Sequence, residues 1–88
     1  MKVLRVTMPD GSKWDVPLRL IARDQAAYYK TTIDEELKNE NALLDWAPNN
    51  MDWSDVAEWA KRVDGATINY QDGWVNGDKE IVETESWL

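Results

Sequence analysis

Apolar and polar residues alternate at the start of the chain. Leu4, Val6 and Met8 are separated by Arg5 and Thr7, and Trp14 and Val16 alternate with Lys13 and Asp15. A period of two predicts a pair of strands over 2–17. Between them, Pro9-Asp10-Gly11 has the chemistry of a three-residue hairpin loop with a bulge. Proline presets φ, aspartate tolerates the second turn position, and glycine takes the positive φ. The implied register sets Met8 against Ser12, Val6 against Trp14 and Leu4 against Val16, with Arg5 opposite Asp15. Apolar side chains then meet on one face and opposite charges on the other.

The period changes at Pro17, which is suited to opening a helix. Leu18, Ile21, Ala22, Gln25, Tyr28 and Tyr29 follow helical spacing, with Arg19, Arg23 and Lys30 elsewhere on the turn. Thr32-Ile33-Asp34-Glu35 matches a capping box, so Thr31 or Thr32 starts a second helix or lies in a bent long one. Ile33, Leu37, Leu44 and Ala47 share a face that Leu43 and Trp46 widen; Pro48 is expected to stop the element and Asn49-Asn50 to turn. Asp52 then reads as an N-cap with Asp55 at N3, and Met51 is placed to staple onto Val56. Val56, Trp59, Ala60 and Val63 form one stripe, Lys61 and Arg62 fall in the last turn, and Gly65 is the expected stop.

The rest reads as β. Ala66, Ile68 and Tyr70 alternate with polar residues, Asp72-Gly73 and Asn76-Gly77 are turn dipeptides around Trp74-Val75, and 80–87 is a final strand. The order β-β-α-(α)-α-β-β predicts a single compact α+β domain over 1–88. Its antiparallel sheet combines the N-terminal hairpin with the C-terminal strands, and two or three helices pack on one face.

Composition narrows the chemistry. The 88 residues include no Cys, no His and no Phe, but six Trp. Disulfide scaffolds, thiol nucleophiles, imidazole ligands and Ser-His-Asp arrangements are therefore excluded. No apolar run reaches the ~18 residues of a membrane span, and no signal-peptide core is visible, so a cytoplasmic location in a bacterial host is expected. The net charge is −7. It is unevenly placed: residues 1–30 carry six basic and three acidic side chains, whereas 31–88 carry four basic and fourteen acidic. Such a balance disfavours phosphate backbones and favours basic protein partners, so neither direct nucleic-acid binding nor membrane binding is expected.

No arrangement of these residues forms a recognisable catalytic centre. Asp34, Glu35, Glu36 and Glu40, like Asp52, Asp55 and Glu58, sit where helix starts favour carboxylates without any catalytic role. Asp72, Asn76, Asp78 and Glu80 put oxygen atoms in one glycine-containing stretch, but Trp74 occupies a position where a calcium loop needs a ligand. Catalysis, cofactor and metal are accordingly not expected. The tryptophans are more informative. Trp14, Trp46 and Trp59 fit core positions, whereas Trp53 follows an N-cap, Trp74 lies between turns and Trp87 is next to last. The expected partner-binding surface has Trp53 and Trp74 as anchors and Asp34, Glu35, Glu36, Glu40, Asp55 and Glu58 as its rim.

The strings Pro9-Asp10-Gly11-Ser12-Lys13-Trp14-Asp15-Val16-Pro17, Ala26-Ala27-Tyr28-Tyr29, Asn49-Asn50-Met51-Asp52-Trp53 and Tyr70-Gln71-Asp72-Gly73-Trp74-Val75-Asn76-Gly77 give a chain that resembles small uncharacterised proteins of bacteriophages and prophages. Compact acidic proteins of that kind include inhibitors of host nucleases, among them anti-CRISPR and anti-restriction proteins. The resemblance implies a non-enzymatic inhibitor that covers a basic, nucleic-acid-binding surface on a host nuclease or CRISPR effector, its carboxylates standing in for phosphates. The alternative is a structural or assembly component of the phage particle acting through homo-oligomerisation. Monomer and dimer both remain open.

Overall fold

The hairpin forms in the register its turn dictates. In the computed structural model, which describes residues 1–85, β1 (Lys2–Thr7) and β2 (Lys13–Pro17) are antiparallel, with Leu4 opposite Val16, Arg5 opposite Asp15 and Val6 opposite Trp14. Gly11 takes φ 89°, and the Met8 amide donates to the Ser12 carbonyl at 2.8 Å. On the outward face, Arg5 makes two bonds to the Asp15 carboxylate, at 2.7 and 3.0 Å.

Helix α1 (Leu18–Tyr29) follows directly and buries Leu18, Ile21, Ala22, Gln25 and Ala26. Its stripe ends early: Tyr28 and Tyr29 are 70% and 56% exposed. Thr32 caps a separate α2 (Ile33–Leu37), its hydroxyl accepting from the Glu35 amide at 3.2 Å. Asn39 caps α3 (Glu40–Asn50) in the same way.

Pro48 does not stop α3. The helix runs through it to Asn50, and the Met51 amide donates to the Ala47 carbonyl at 3.0 Å. The pair expected to form a turn lies in the last helical turn, where the Asn49 and Asn50 side chains donate to the carbonyls of Asp45 and Trp46, at 2.8 and 3.1 Å.

The expected long helix from Asp52 is also shortened. Asp55 accepts from the Asp52 amide at 2.8 Å, and Met51 and Val56 are both buried, but α4 covers only Trp53–Val56. A 3₁₀ turn, Ala57–Trp59, follows it, and the chain then extends into β3 (Lys61–Asp64). Lys61 and Arg62 therefore lie on a strand rather than in a last helical turn. Pairing with the otherwise open edge of β2 outweighs the helical stripe, because it satisfies backbone groups along both segments.

The C-terminal part departs furthest from expectation. Residues 66–69 are not a strand, and Ile68 is 96% exposed. Asn69 accepts from the Asp72 amide and starts α5 (Tyr70–Asn76), so Asp72-Gly73 lies inside a helix. Strand β4 is Asp78–Glu83; Glu85 lies beyond it, and Trp87 is outside the described residues. The four strands form one antiparallel sheet in the order β3-β2-β1-β4. The helices cover the face that carries Leu4, Val6 and Val16, giving the α+β architecture expected, with more and shorter helices.

Two glycines set the distance between α5 and the hairpin. A Cβ on Gly77 would lie 2.5 Å from the Gly73 carbonyl oxygen and 2.7 Å from that of Thr7. A Cβ on Gly73 would meet the buried Met8 side chain, its sulfur at 2.8 Å, its Cγ at 3.0 Å and its Cβ at 3.2 Å, with no backbone atom among these nearest contacts. Gly77→Ala should therefore cost about 1–3 kcal/mol through overpacking against backbone. Gly73→Ala should cost less, because Met8 can yield and alanine gains about 1 kcal/mol of helix propensity. Urea midpoints of the two variants test this order.

Asp10 makes the hairpin turn sensitive to acid. The Ser12 hydroxyl and amide donate to its carboxylate at 2.6 and 3.0 Å, holding its pKa below the ordinary 3.8. Its contribution to stability should be complete above pH 3.8 and lost as the pH falls through the lower folded-state value. Asp10→Asn should flatten the stability–pH curve in that window, as acid unfolding followed by circular dichroism would record.

Candidate functional site

The acidic side chains expected to share one wall are placed in two groups. Asp34, Glu35 and Glu36 lie on α2 with Glu40 at the start of α3, whereas Asp55 and Glu58 lie on α4 and the 3₁₀ turn. Most of the first group is engaged within the molecule. Asp34 lies 3.9 Å from Arg19, Glu40 pairs with Lys2, and Glu36 accepts from Gln25 and from the Thr31 hydroxyl. Glu35 is exposed on the same short helix.

Trp74 is not a surface anchor. Helix α5 turns its ring into the core, where it is 0% exposed and its Nε1–H donates to the Met51 carbonyl at 2.8 Å. The ammonium of Lys79 lies 5.5 Å from the ring centroid and donates to the Gly77 carbonyl at 2.8 Å. Partial burial lowers the pKa of Lys79, against the opposing effect of Asp78. Conversely, Trp59, expected in the core, is 48% exposed.

Trp53 does reach the surface. It is half-buried and stacks on Tyr70, with ring centroids 5.4 Å apart and planes 21° from parallel. Trp14 closes the group with its edge, 5.4 Å from Trp53 and 5.6 Å from Tyr70, while its indole N–H donates to Thr67 at 2.9 Å. The first turns of two helices bring this group together. Asp52 caps α4 and Asn69 caps α5, and Gln71 ties them by accepting from the Trp53 amide at 2.7 Å.

Exposed carboxylates stand near the stacked pair along the chain: Asp52 precedes Trp53, and Asp55 and Asp72 follow Trp53 and Tyr70 by two residues. The result is a partly exposed aromatic surface built on two helix first turns that also carry exposed negative charge. Sequence reasoning selected Trp53 and Asp55 here but missed Tyr70 and Asp72. The Asn69-x-x-Asp72 spacing, an N-cap followed by an acid at N3, was the signal that could have placed them.

Among the described residues no group of three acidic side chains is arranged to hold a metal, and Asn76 Nδ2 donates to Asp72 Oδ1 at 3.0 Å within α5. No helix is long and apolar enough to cross a membrane. Compared with known family models, curated proteins and solved structures, the chain matches none.

Replacing Trp74 with Phe should leave the Met51 carbonyl without its donor and part of the indole's volume unfilled. The expected loss is about 1–3 kcal/mol of stability, read from urea unfolding. An unchanged midpoint would show that this buried hydrogen bond is not needed.

Proposed function

We propose that the protein is a non-enzymatic binding module that engages a basic surface of a protein partner through Trp53 and Tyr70. The observation that carries this reading is the partly exposed Trp53–Tyr70 stack, on helix first turns that also carry the exposed Asp52, Asp55 and Asp72. Rigid aromatic rings are efficient contact anchors, since little side-chain freedom is lost when they are covered. Those carboxylates and the net charge of −7 steer a positive partner toward the rings. The resemblance to phage proteins suggests the class of partner: a host nuclease or CRISPR effector whose nucleic-acid-binding surface would be occluded. Carboxylates would then occupy places otherwise taken by phosphates.

This reading predicts a split between two kinds of variant. Trp53→Ala should abolish capture of the partner from a bacterial lysate. Asp52→Asn with Asp72→Asn should slow association about tenfold or more at low salt and much less at high salt. A captured partner whose association rate is indifferent to salt and to both variants would refute it.

Self-assembly is the second reading, and the sheet edges favour it. The edge strand β3 carries Lys61, Arg62 and Asp64, and the edge strand β4 carries Asp78, Lys79, Glu80 and Glu83, a net of +1 against −2. Edge strands of opposite charge can join head to tail. Sedimentation at micromolar concentration separates the two readings: a monomer supports partner binding, and a ring or filament supports assembly.

A further inference from the structure

An apolar groove opens on the side of the molecule where α1, the start of α2 and the 57–62 segment meet. It encloses about 830 Å³, within the ~300–1,000 Å³ typical of small-molecule sites. Its floor is made by Leu20, Ile33, Trp59 and Ala60. Arg19 and Arg23, one turn apart on α1, and Lys61 and Arg62 on β3 also line it. Glu58 is the acidic side chain of the lining, and Asp34 lies 3.9 Å from Arg19. Neither Arg23 nor Arg62 has an ion-pair partner among the described residues.

Concentrating cations around an apolar hollow is unexpected in a chain of net charge −7. The groove differs in this from the Trp53–Tyr70 stack, whose helix first turns carry Asp52, Asp55 and Asp72. We propose that the groove binds an anionic amphiphile: a single apolar chain covering Leu20, Ile33 and Trp59, with a carboxylate or like anion held by Arg23 and Arg62. A guanidinium suits that task because it pairs with carboxylate through two parallel hydrogen bonds. The ligand is a free molecule rather than a bilayer, since an anionic membrane repels the protein as a whole.

The test uses the full chain and two probes of equal length, dodecanoate and dodecyltrimethylammonium, each below its micelle concentration. Calorimetry measures affinity, and the NMR signal of the Trp59 indole N–H, assigned with Trp59→Phe, reports the place. Dodecanoate should bind at one site and move that signal, with the cationic probe about tenfold weaker or more. Arg23→Glu with Arg62→Glu should cut dodecanoate affinity about tenfold or more while the urea midpoint stays close to wild type. Should that double substitution unfold the protein, the contrast between the two probes on the wild-type chain decides alone. Equal binding of both probes, or dodecanoate binding that leaves Trp59 unmoved, would overturn the proposal. So would co-sedimentation with phosphatidylglycerol vesicles in place of monomer binding, or a Trp59 signal that shifts with protein concentration alone, which would give the groove to a second copy.

Discussion

The indole of Trp74 is the constraint on which the rest of the structure depends. It is the largest fully buried side chain, and its single N–H reaches a backbone carbonyl at Met51, between α3 and α4. That bond ties α5 to the α3–α4 junction, while Gly73 and Gly77 let the same helix lie against the hairpin. In a domain of this size few side chains are available to fill an interior, and one ring can decide how several short helices sit. Trp53 then packs against Trp74 at 6.0 Å, so the exposed aromatic surface rests on the buried one.

Charge is distributed by the fold rather than by the chain. The positive first thirty residues and the negative remainder meet repeatedly: Lys2 with Glu40, Arg19 with Asp34, and the amino terminus with Glu83. Such exposed pairs contribute little stability. Their effect is to place cations of the first thirty residues beside Asp34, Glu40 and Glu83. Four cationic side chains, Arg19, Arg23, Lys61 and Arg62, line one apolar groove, while the Trp53–Tyr70 stack stands on helix first turns that carry carboxylates.

The hairpin was legible because every signal for it is local. Pro9-Asp10-Gly11 fixes the loop, the loop fixes the register, and alternation fixes the faces. The caps at Thr32 and Asp52 were legible for the same reason, since each is a contact between residues three apart. Trp53 and Asp55 followed from the second of these caps. Pro48 misled because its usual effect on a helix is local, whereas α3 is held by the burial of Leu43, Trp46 and Ala47 in the core.

What the sequence by itself determined was therefore the α+β class, the N-terminal register, the caps at Thr32 and Asp52 and the net acidic charge. Only the tertiary structure decided that 61–64 pairs as an edge strand, that 70–76 is a helix, and which indoles are covered. Those outcomes depend on partners far along the chain: β2 for the strand, Met8 and Met51 for α5 and its ring. A stripe or a turn dipeptide states what a segment favours alone; the unpaired edge of β2 and the space beside the hairpin supplied more favourable contacts, and they prevailed.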